Sequence, residues 1–565
     1  MSQNYQRFKR IVIVSYRLPY KIVNKGSERS LEQNTGGLVS AILSLADKMS
    51  SERGDTEHQK IIWIGHSEFS KEELDKMSSS EIDFDVHPVS IPEKIRSQYY
   101  EGFCNDLLWP LFHYFPMYTV FKDTYFEAYK KSNQLFMDVI DNVVQPDDLI
   151  WVHDYQLFLL PKLIRNKFPK SIIGFFLHIP FPSFEIFRLL NRKWREELLN
   201  GILGADLIGF HTNDYTQHFL YTVKRVLGLE NSLRKVYTPE RVIKADSFPI
   251  GIDYGKFSGA VTTESVLEQI NNLNDIIGDK KLIFSVDRLD YTKGLLNRLL
   301  GYEQFLDRNP DWQGKVIFNM VVAPSRDKIP RYKSMKRDIE ATVGRINGKY
   351  SYLGWRPIVY QYKSISFNEL VALCSISHCG LITPLRDGMN LVAKEFVACQ
   401  GKNIGVLILS EMAGAVAELG EAIIINPTDT TELADAILKA LEMPLQERKE
   451  KIMRMKKRIQ NYNIFSWTED FINQIQLIKK EQDMLDIKLL NNSSINNIVA
   501  HYRKANNRLI LLDYDGTLIP FSKYPEDAIP DDKVRGQILK LSEDKKNKVV
   551  IISGRDKKFS FNLFA

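Results

Sequence analysis

Two cations on one short segment could neutralise a phosphate group. Arg288 and Lys293 lie five residues apart in DRLDYTKGL, which directly follows the apolar run LIFSV. A loop at the carboxyl end of a parallel strand is where open α/β sheets bind ligands. Fixed cations at that place would stabilise the negative charge of a departing diphosphate. The alternative is a solvated loop in which Lys293 pairs with Asp290 at the surface.

The segment TPLRDGMNLVAKEF, residues 383–396, combines a turn with a helix. Asp387 could bond the hydroxyls of a sugar, while backbone amides at the predicted helix start could meet phosphate oxygens. Those amides belong to Gly388, Met389 and Asn390. Glu395, inside the predicted helix, could hold the hydroxyls of a nucleotide ribose. In the alternative interpretation Asp387 only caps the helix, and Glu395 pairs at the surface with Lys394 or Arg386.

Polar side chains also follow three other apolar runs. They are Asp154 in WVHDYQ, His178 in FFLHIPFP and Arg326 after VVAPS. At the carboxyl ends of neighbouring parallel strands such side chains point into the crevice of a domain. An arginine there suits a phosphate, whereas a single histidine could also be a hydrogen-bonded core residue.

Paired glycines give a weaker phosphate signal. Gly36 and Gly37, in NTGGL, precede a helix-like segment, so their backbone amides could approach a phosphate at the helix start. The alternative is an ordinary tight turn.

The elements that must position these residues alternate between strands and helices. Short β-branched runs recur at residues 11–15, 61–65, 149–154, 172–178, 207–212, 282–290, 316–324, 358–362, 378–384, 405–410 and 422–426. Amphipathic stretches of helix length separate them, which predicts parallel sheets built from βαβ units. Pro249 and Gly251 interrupt this pattern in FPIGID, so we predict one Rossmann-like domain at residues 1–253 and a second at 254–464.

Two further segments follow the second domain. Residues 430–486 carry apolar positions at helical spacing with Lys and Glu opposite them, and we assign residues 465–490 to a helical return segment. NNSS at 491–494 indicates a loop. The last segment, residues 491–565, opens near RLILLDYDGTL and is shorter than a complete α/β domain usually is.

The overall composition is that of a folded globular protein, with 44% hydrophobic and 26% charged residues. A formal charge of +6 on 565 residues is too small to predict binding to nucleic acid or to an anionic membrane. The longest apolar runs are too short to span a bilayer, and the polar first ten residues predict a cytoplasmic protein. The four cysteines form no CxxC pair, which favours reduced, buried thiols.

Taken together and in this order, the motifs resemble the trehalose-6-phosphate synthase family of glycosyltransferases. The likeness runs from about residue 10 to residue 467 and includes YYEGFCNDLLWPLFHY, WVHDYQLFLLP, FFLHIPFPSFEIFR, GADLIGFHT, DRLDYTKGL, VGRING and TPLRDGMNLVAKEFVAC. The resemblance implies an α/β fold of the GT-B type, in which two Rossmann-like domains face each other across a cleft. It also implies transfer of glucose from UDP-glucose to glucose 6-phosphate, which gives trehalose 6-phosphate and UDP.

Carried over by position, the resemblance divides the candidate residues into a donor-binding set and an acceptor-binding set. The donor-binding set is Gly37, Arg288, Lys293, Asp387, Gly388, Met389, Asn390 and Glu395. The acceptor-binding set is Arg17, Tyr100, Trp109, Asp154 and Arg326. His178 would contact the transferred glucose, and it forms the catalytic set together with Arg288, Lys293 and Asp387.

The same resemblance implies retention of the anomeric configuration without a carboxylate nucleophile, unlike a retaining glycosidase with its close pair of carboxyl groups. Attack would come from the front face, and the leaving phosphate would accept the acceptor's proton. Since Arg288 and Lys293 would supply the positive charge, we expect no cofactor and no metal in the synthase site. UDP-glucose and glucose 6-phosphate are the expected ligands, and a homo-oligomer or a phosphatase partner is compatible with the sequence.

Two positions depart from the pattern of the family. His66 stands in IIWIGHSE where the family often has a tryptophan that walls the acceptor site, and Gln156 in WVHDYQ replaces a usual histidine. These changes leave open a regulatory protein that binds sugar phosphates with weak or no catalysis. All cations and carboxylates of the candidate site are present, so we expect turnover.

The last segment resembles the phosphatase domain, of the haloacid-dehalogenase type, that is fused to many such synthases. Asp513 and Asp515 in LLDYDGTL match a nucleophile and an acid/base beside Mg²⁺, and Ser553 in IISGR matches a phosphate-contacting motif. Ten residues follow Arg555, too few for the lysine and the acidic metal-ligand motif expected further on. We therefore expect an incomplete phosphatase-like fragment, with Mg²⁺ only in a complete one.

Overall fold

Continuous apolar runs of the sequence become the buried strands of two large sheets. The computed structural model describes residues 8, 10–25, 28–33, 39, 61–77, 84–238, 240–326, 329–401, 404–485, 492–520 and 529–554. The chain divides into two compact units, Met1–Met484 and Leu485–Ala565. Both large sheets belong to the first unit.

The strands and helices of the described residues follow in chain order. The strands are β1 Ile11–Arg17, β2 Tyr20–Lys25, β3 Glu28–Gln33, β4 Ile61–His66, β5 Phe84–Val89, β6 Leu149–His153, β7 Ile172–Phe176, β8 Leu207–Phe210, β9 Asn231–Ser232, β10 Lys235–Tyr237, β11 Val242–Ser247, β12 Lys281–Arg288, β13 Val316–Ala323, β14 Ile358–Gln361, β15 Cys379–Ile382, β16 Val406–Ser410, β17 Ile423–Ile425, β18 Arg508–Asp513 and β19 Asn547–Ile552. The α-helices are Lys71–Met77, Glu93–Arg96, Trp109–Phe112, Asp123–Val143, Leu160–Lys167, Phe184–Phe187, Arg192–Ile202, Asn213–Leu227, Tyr254–Ala260, Glu264–Ile277, Leu295–Arg308, Pro330–Tyr350, Phe367–Ile376, Leu391–Cys399, Thr430–Glu442, Leu445–Asn461, Ile464–Leu485, Asn492–Lys504 and Asp532–Glu543. A π-helix covers Ser97–Leu108, and short 3₁₀ helices cover Pro116–Tyr118, Tyr155–Leu157, Tyr291–Lys293, Pro310–Trp312 and Gly414–Ala417.

The topology of the two sheets brings the candidate residues to one edge of each. The first sheet has the strand order β5-β4-β1-β6-β7-β8-β11-β10-β9, and the second has the order β14-β13-β12-β15-β16-β17. All neighbours are parallel except the short strands β9 and β10. Because parallel strands end at the same edge of a sheet, the loops after β6 and β7 lie together, as do those after β12, β13 and β15.

Strand β1 shows why the central runs are apolar throughout. Ile11 and Ile13 belong to the core on one face of the first sheet, whereas Val12 and Val14 belong to the core on the other face. A parallel strand covered on both faces needs apolar residues at successive positions rather than at alternate ones. Each run that the sequence predicts to be a strand contains a strand in the structure, so these predictions are confirmed.

The helix Ile464–Leu485 follows the second sheet in the chain but packs against the first. The rings of Trp467 and Phe471 stack on Trp151 of β6 with centroid distances of 5.3 and 4.4 Å. The indole N–H of Trp467 donates to the carbonyl oxygen of Phe248 at 3.1 Å. This helix therefore ties the chain after the second sheet back to the core of the first.

Some elements carry no apolar run and were not predicted. Strand β5 contains Asp85, His87 and Pro88, which an edge strand tolerates because one of its sides pairs with no strand of the described residues. The π-helix Ser97–Leu108 carries Tyr100 and leads directly into Trp109. π-Helical turns are rare, but those that occur often lie at functional sites. The sequence pattern did not predict this one.

The second unit is small in its described part. Strands β18 and β19 pair in parallel, and the helices Asn492–Lys504 and Asp532–Glu543 accompany them. This is the α/β fragment that the sequence predicts. Across the described residues of the whole chain, no helix is both long enough and apolar enough to traverse a bilayer. All four cysteines are buried thiols, as predicted.

Candidate active site

Loops from both sheets line one cavity of about 370 Å³. The predicted residues on its wall are Arg17, Tyr100, Trp109, Asp154, His178, Arg288 and Arg326. These are the whole predicted acceptor-binding set, together with one histidine and one cation of the catalytic set. Strands β1, β6 and β7 position Arg17, Asp154 and His178, and β12 and β13 position the two arginines of the second sheet. The π-helix Ser97–Leu108 and the helix Trp109–Phe112 supply the other two wall residues.

Arg326 is held in place by residues of both sheets. Its Nη1 donates to Oδ2 of Asp290 at 2.9 Å and to the hydroxyl of Tyr332 at 2.6 Å. The guanidinium lies over the ring of Trp109 at 4.4 Å from the centroid. Although burial opposes the charge, Asp290 raises the pKa of Arg326, so this cation persists with only 11% of its side chain exposed. The interpretation of Asp290 as a surface partner of Lys293 is wrong.

Arg17 approaches the cavity beside a stack of aromatic rings. Its Nη2 donates to the hydroxyl of Tyr100 at 3.1 Å. The ring of Tyr100 stacks on Tyr16 at 4.3 Å, and the far side of that stack is His66, at 5.4 Å from Tyr16. Tyr16 and Tyr100 both line the cavity, and His66 packs against Tyr16 from outside the lining, whereas a family tryptophan at this position was expected to form the wall itself. Burial lowers the pKa of His66, which favours a neutral imidazole.

Lys293 and Asp387 form an ion pair. The Nδ2 of Asn390 donates to Oδ2 of Asp387 at 2.9 Å, and the Oδ1 of Asn390 accepts from the backbone N–H of Ala393 at 3.2 Å. Asn390, rather than Asp387, is thus the N-cap of the helix Leu391–Cys399. Although burial opposes ionisation, Lys293 lowers the pKa of Asp387, so the carboxylate is charged at neutral pH.

Glu395 has neither of the surface partners considered for it. Lys394 is fully buried and pairs with Glu418, and the guanidinium of Arg386 lies 3.9 Å from the centroid of the Tyr114 ring. Glu395 itself is half-buried, and burial raises its pKa to about 7. A partly buried carboxyl group with a raised pKa is a candidate for contact with a polar ligand.

Gly388 marks a close approach between the two sheets. A Cβ atom at this position would lie 2.6 Å from the carbonyl oxygen of His178. The hydroxyl of Tyr215 donates to the carbonyl oxygen of the preceding residue, Asp387, at 3.3 Å. The loop after β15 therefore rests directly on the loop after β7, and a side chain at Gly388 would separate them.

Three candidate residues have left-handed backbone conformations. They are Asp154 with φ 76°, Arg326 with φ 54° and Asn390 with φ 78°. Each such non-glycine conformation costs on the order of 1–3 kcal/mol and clusters where function requires it. At Asp154 the turned backbone lets Oδ1 accept from the backbone N–H of His178 at 3.2 Å, and burial raises its pKa to about 7.

Comparison with known proteins decides the family. The model of Glycosyltransferase family 20 matches residues 9–477. The chain belongs to this family. A second model, Trehalose-phosphatase, matches residues 511–565, the segment predicted to be phosphatase-like.

Curated relatives of this family 20 glycosyltransferase extend over nearly the whole chain. A bifunctional trehalose-6-phosphate synthase/phosphatase of Thermoproteus tenax is 39% identical over 553 residues, which cover 97% of this chain and 75% of the relative. An alpha,alpha-trehalose-phosphate synthase [UDP-forming] A of Dictyostelium discoideum is 40% identical over 554 residues, with 97% and 73% covered.

A solved structure gives the same fold. The alpha,alpha-trehalose-phosphate synthase (UDP-forming) of Burkholderia xenovorans, in complex with glucose-6-phosphate, superposes with a TM-score of 0.73 at 31% identity. The match covers 82% of this chain and 100% of that protein. This family 20 glycosyltransferase therefore has the predicted GT-B arrangement of two Rossmann-like sheets around a cleft.

Two predicted positions and three residues that were not predicted complete the description of the site. Gly37 and the NTGGL motif lie outside the described residues. Gln156, which stands where the family usually has a histidine, is buried and lines the cavity. The sequence did not predict Tyr332, which accepts from Arg326, or Tyr16, which lines the cavity. It also gave no role in the site to His153, which precedes Asp154 in WVHDYQ and lines the cavity.

The two candidate carboxylates of the phosphatase-like segment make hydrogen bonds within that segment. Asp513 Oδ2 accepts from the hydroxyl of Thr517 at 3.0 Å, and the hydroxyl of Ser553 is 3.5 Å from Oδ2 of Asp515. Throughout the described residues, no group of three or more His, Cys, Asp or Glu side chains is arranged to hold a metal ion. Since Mg²⁺ is usually held by one or two carboxylates together with waters and substrate phosphate oxygens, Asp513 and Asp515 would be its carboxylate ligands only in a complete phosphatase domain.

Proposed function

We propose that this chain is a UDP-forming α,α-trehalose-phosphate synthase, which transfers glucose from UDP-glucose to glucose 6-phosphate and releases trehalose 6-phosphate and UDP. The observation that carries the proposal is the single cavity that joins Arg17, Asp154 and Arg326 to Arg288 at the edges of both sheets of a family 20 glycosyltransferase. Relatives that bear this activity in their names align over 97% of the chain, which supports the same assignment.

The first sheet and Arg326 form the acceptor half of the site in this proposal. Arg17 and Arg326 offer two guanidinium groups to the 6-phosphate, and guanidinium–phosphate hydrogen bonds are short and strong. Trp109 contributes to the wall of this half and carries Arg326 over its ring. Tyr100 holds Arg17 in position, and Asp154 accepts hydrogen bonds from sugar hydroxyls.

The second sheet forms the donor half. Arg288, exposed and without an ion pair to any described residue, faces the leaving diphosphate. Lys293 joins it, oriented by Asp387, which in turn meets the hydroxyls of the transferred glucose. Glu395 takes the ribose hydroxyls. The remaining donor contacts are backbone amides, from Gly37, Gly388, Met389 and Asn390, of which the last three precede the helix Leu391–Cys399.

The proposed reaction keeps the anomeric configuration, as the family resemblance implies. The bond between the anomeric carbon and the leaving phosphate oxygen breaks, and the acceptor hydroxyl oxygen bonds to the same face of that carbon. The hydroxyl proton passes to the leaving phosphate, whose growing charge Arg288 and Lys293 offset. His178 contacts the transferred sugar from the cavity wall.

Several finer expectations stay predictions. They are the domain limits 1–253, 254–464, 465–490 and 491–565, a cytoplasmic location, and a homo-oligomer or a phosphatase as partner.

The test is turnover by the purified full chain. Incubation with UDP-glucose and glucose 6-phosphate should release UDP and form trehalose 6-phosphate in equal amounts. ADP-glucose and GDP-glucose, supplied separately, define the donor. Calorimetric binding of UDP-glucose and glucose 6-phosphate without any UDP release would instead support the regulatory sugar-phosphate-binding protein and overturn the proposal.

A further inference from the structure

Three histidines lie at the ends of three consecutive strands of the first sheet. His153 ends β6, His178 follows β7 and His211 follows β8. The Nδ1 of His153 is 3.1 Å from the Nε2 of His178, which is hydrogen-bonding distance. His153 is fully buried, whereas the ring of His178 is half-buried and lines the cavity.

The hydrogen bond can be made in two ways, which differ in the proton left on His153. Burial lowers the pKa of both rings, so each carries a single proton at neutral pH. If Nε2 of His178 donates, His153 must hold its own proton on Nε2. That atom is buried and has no hydrogen-bond partner among the described residues. If Nδ1 of His153 donates, Nε2 of His153 is instead unprotonated and carries a lone pair.

The surroundings of His153 favour the second arrangement. The ring of Trp151 packs against that of His153 with centroids 4.8 Å apart. The indole N–H of Trp151, which can only donate, is also buried without a partner among the described residues. A second unpaired N–H beside it would add another desolvated donor. With Nε2 of His153 unprotonated, no second buried N–H group is left there without an acceptor.

We propose that His153 is a positioning residue: it donates its Nδ1 proton to Nε2 of His178 and so fixes His178 in the tautomer that carries its proton on Nδ1. The Nε2 of His178 is then used as an acceptor inside the protein. The Nδ1–H group is the one proton that the neutral ring can offer to a ligand. His178 therefore meets the transferred sugar as a hydrogen-bond donor to an oxygen, and not as a base that removes a proton.

The kinetic consequence rests on the proposed synthase function, while the tautomer itself does not. Asn places an amide nitrogen at the same number of bonds from Cα as the Nδ1 of histidine, so His153→Asn retains the donor. His153→Leu removes it at similar size. We expect His153→Leu to lower kcat by roughly 10–100-fold, as loss of a residue that orients another typically does, with the KM for glucose 6-phosphate within twofold. His153→Asn should recover kcat to within about threefold of wild type.

The second measurement observes the proton directly in the wild-type chain. A neutron structure, or ¹⁵N shifts of labelled histidine assigned with His178→Gln, should show His178 protonated on Nδ1. A proton on Nε2 of His178, or equal kcat losses in the Asn and Leu variants when both unfold at the wild-type temperature, would overturn the proposal. If the wild-type chain releases no UDP, the synthase function fails, and the proton position alone then decides this inference.

Discussion

Lys293 and Asp387 stand 94 residues apart in the chain and form an ion pair between the loops that follow β12 and β15. These strands are neighbours in the second sheet, so their carboxyl ends bring the two loops together. The two side chains are only 12% and 17% exposed. The charges proposed for catalysis are thus also part of what holds this edge of the sheet in place.

Removal of Lys293 should therefore destabilise the fold. Lys293→Met leaves the Asp387 carboxylate largely buried without its cation, which should lower the free energy of unfolding by roughly 3 kcal/mol. The double variant Lys293→Met, Asp387→Asn should recover most of that loss. Denaturant titration measures both. Lys349→Met is the control, because Lys349 pairs with Asp307 on the exposed surface. A loss no greater in Lys293→Met than in this control would contradict the prediction.

Arg288 should behave in the opposite way. It is exposed and makes no ion pair with a described residue, so Arg288→Ala should leave the unfolding temperature unchanged. The same variant should lose about 3 kcal/mol or more of transition-state stabilisation, a fall of more than a hundredfold in kcat/KM. Initial rates of UDP release measure the effect, with Arg192→Ala as the control, because Arg192 is exposed and does not line the cavity. A fall of less than about threefold would count against contact with the leaving diphosphate.

Asp154 should weaken the fold as the pH rises. Burial raises its pKa to about 7, against about 3.9 in the unfolded chain. Between these two values the folded state binds more protons than the unfolded state, so this carboxyl lowers stability progressively, and the full cost is present above about pH 7. Asp154→Asn should accordingly raise the unfolding temperature at pH 8 much more than at pH 4.5.

Asp206, a buried carboxyl group whose pKa is lowered rather than raised, provides the control for Asp154. Asp206 is buried between Arg165 and Arg241, and although burial opposes ionisation, Arg165 makes the largest contribution to lowering its pKa. It stabilises the fold above its unfolded pKa, and this contribution is lost as the pH falls through the folded pKa. Asp206→Asn should therefore lower the unfolding temperature at pH 8. If Asp154→Asn also lowers it at pH 8, the burial argument for Asp154 is wrong.

Gly388→Ala should impair transfer by forcing two loops apart. The added Cβ would meet the carbonyl oxygen of His178 at 2.6 Å, closer than real Cβ contacts allow. We expect kcat to fall at least tenfold, because misplacement by about 1 Å can cost a hundredfold in rate. Gly344→Ala is the control, since nothing lies within 4 Å of its added Cβ and it sits in the helix Pro330–Tyr350. Equal kcat in both variants would show that the loops do not need this close approach.

Much of the fold follows from the sequence because both faces of a parallel sheet are buried. The runs at β1, β6 and β16 are apolar at successive positions, and polar residues after β6, β7 and β13 identify candidate site residues. Strand β5 escapes this logic because an edge strand tolerates Asp85 and Pro88.

The contacts within the site could not be predicted in the same way. Asp290 appears in DRLDYTKGL as a plausible partner of the nearby Lys293, but the neighbouring strands supply Asp387 to that lysine and Arg326 to Asp290. Likewise, the capping role belongs to Asn390, whose left-handed backbone turns its side chain toward the helix start. Such choices depend on strand order and on backbone conformation, neither of which is encoded in the spacing of residue types.

The stacking of Arg326 on Trp109 has a thermodynamic consequence. Arg17 comes from the first sheet and Arg326 from the second, so both cations can meet one phosphate only in molecules whose two sheets are in this mutual position. The apparent dissociation constant for a sugar phosphate then equals its intrinsic value divided by the fraction of molecules already in that position. Any solute or bound partner that alters this fraction would change the measured affinity without touching either arginine.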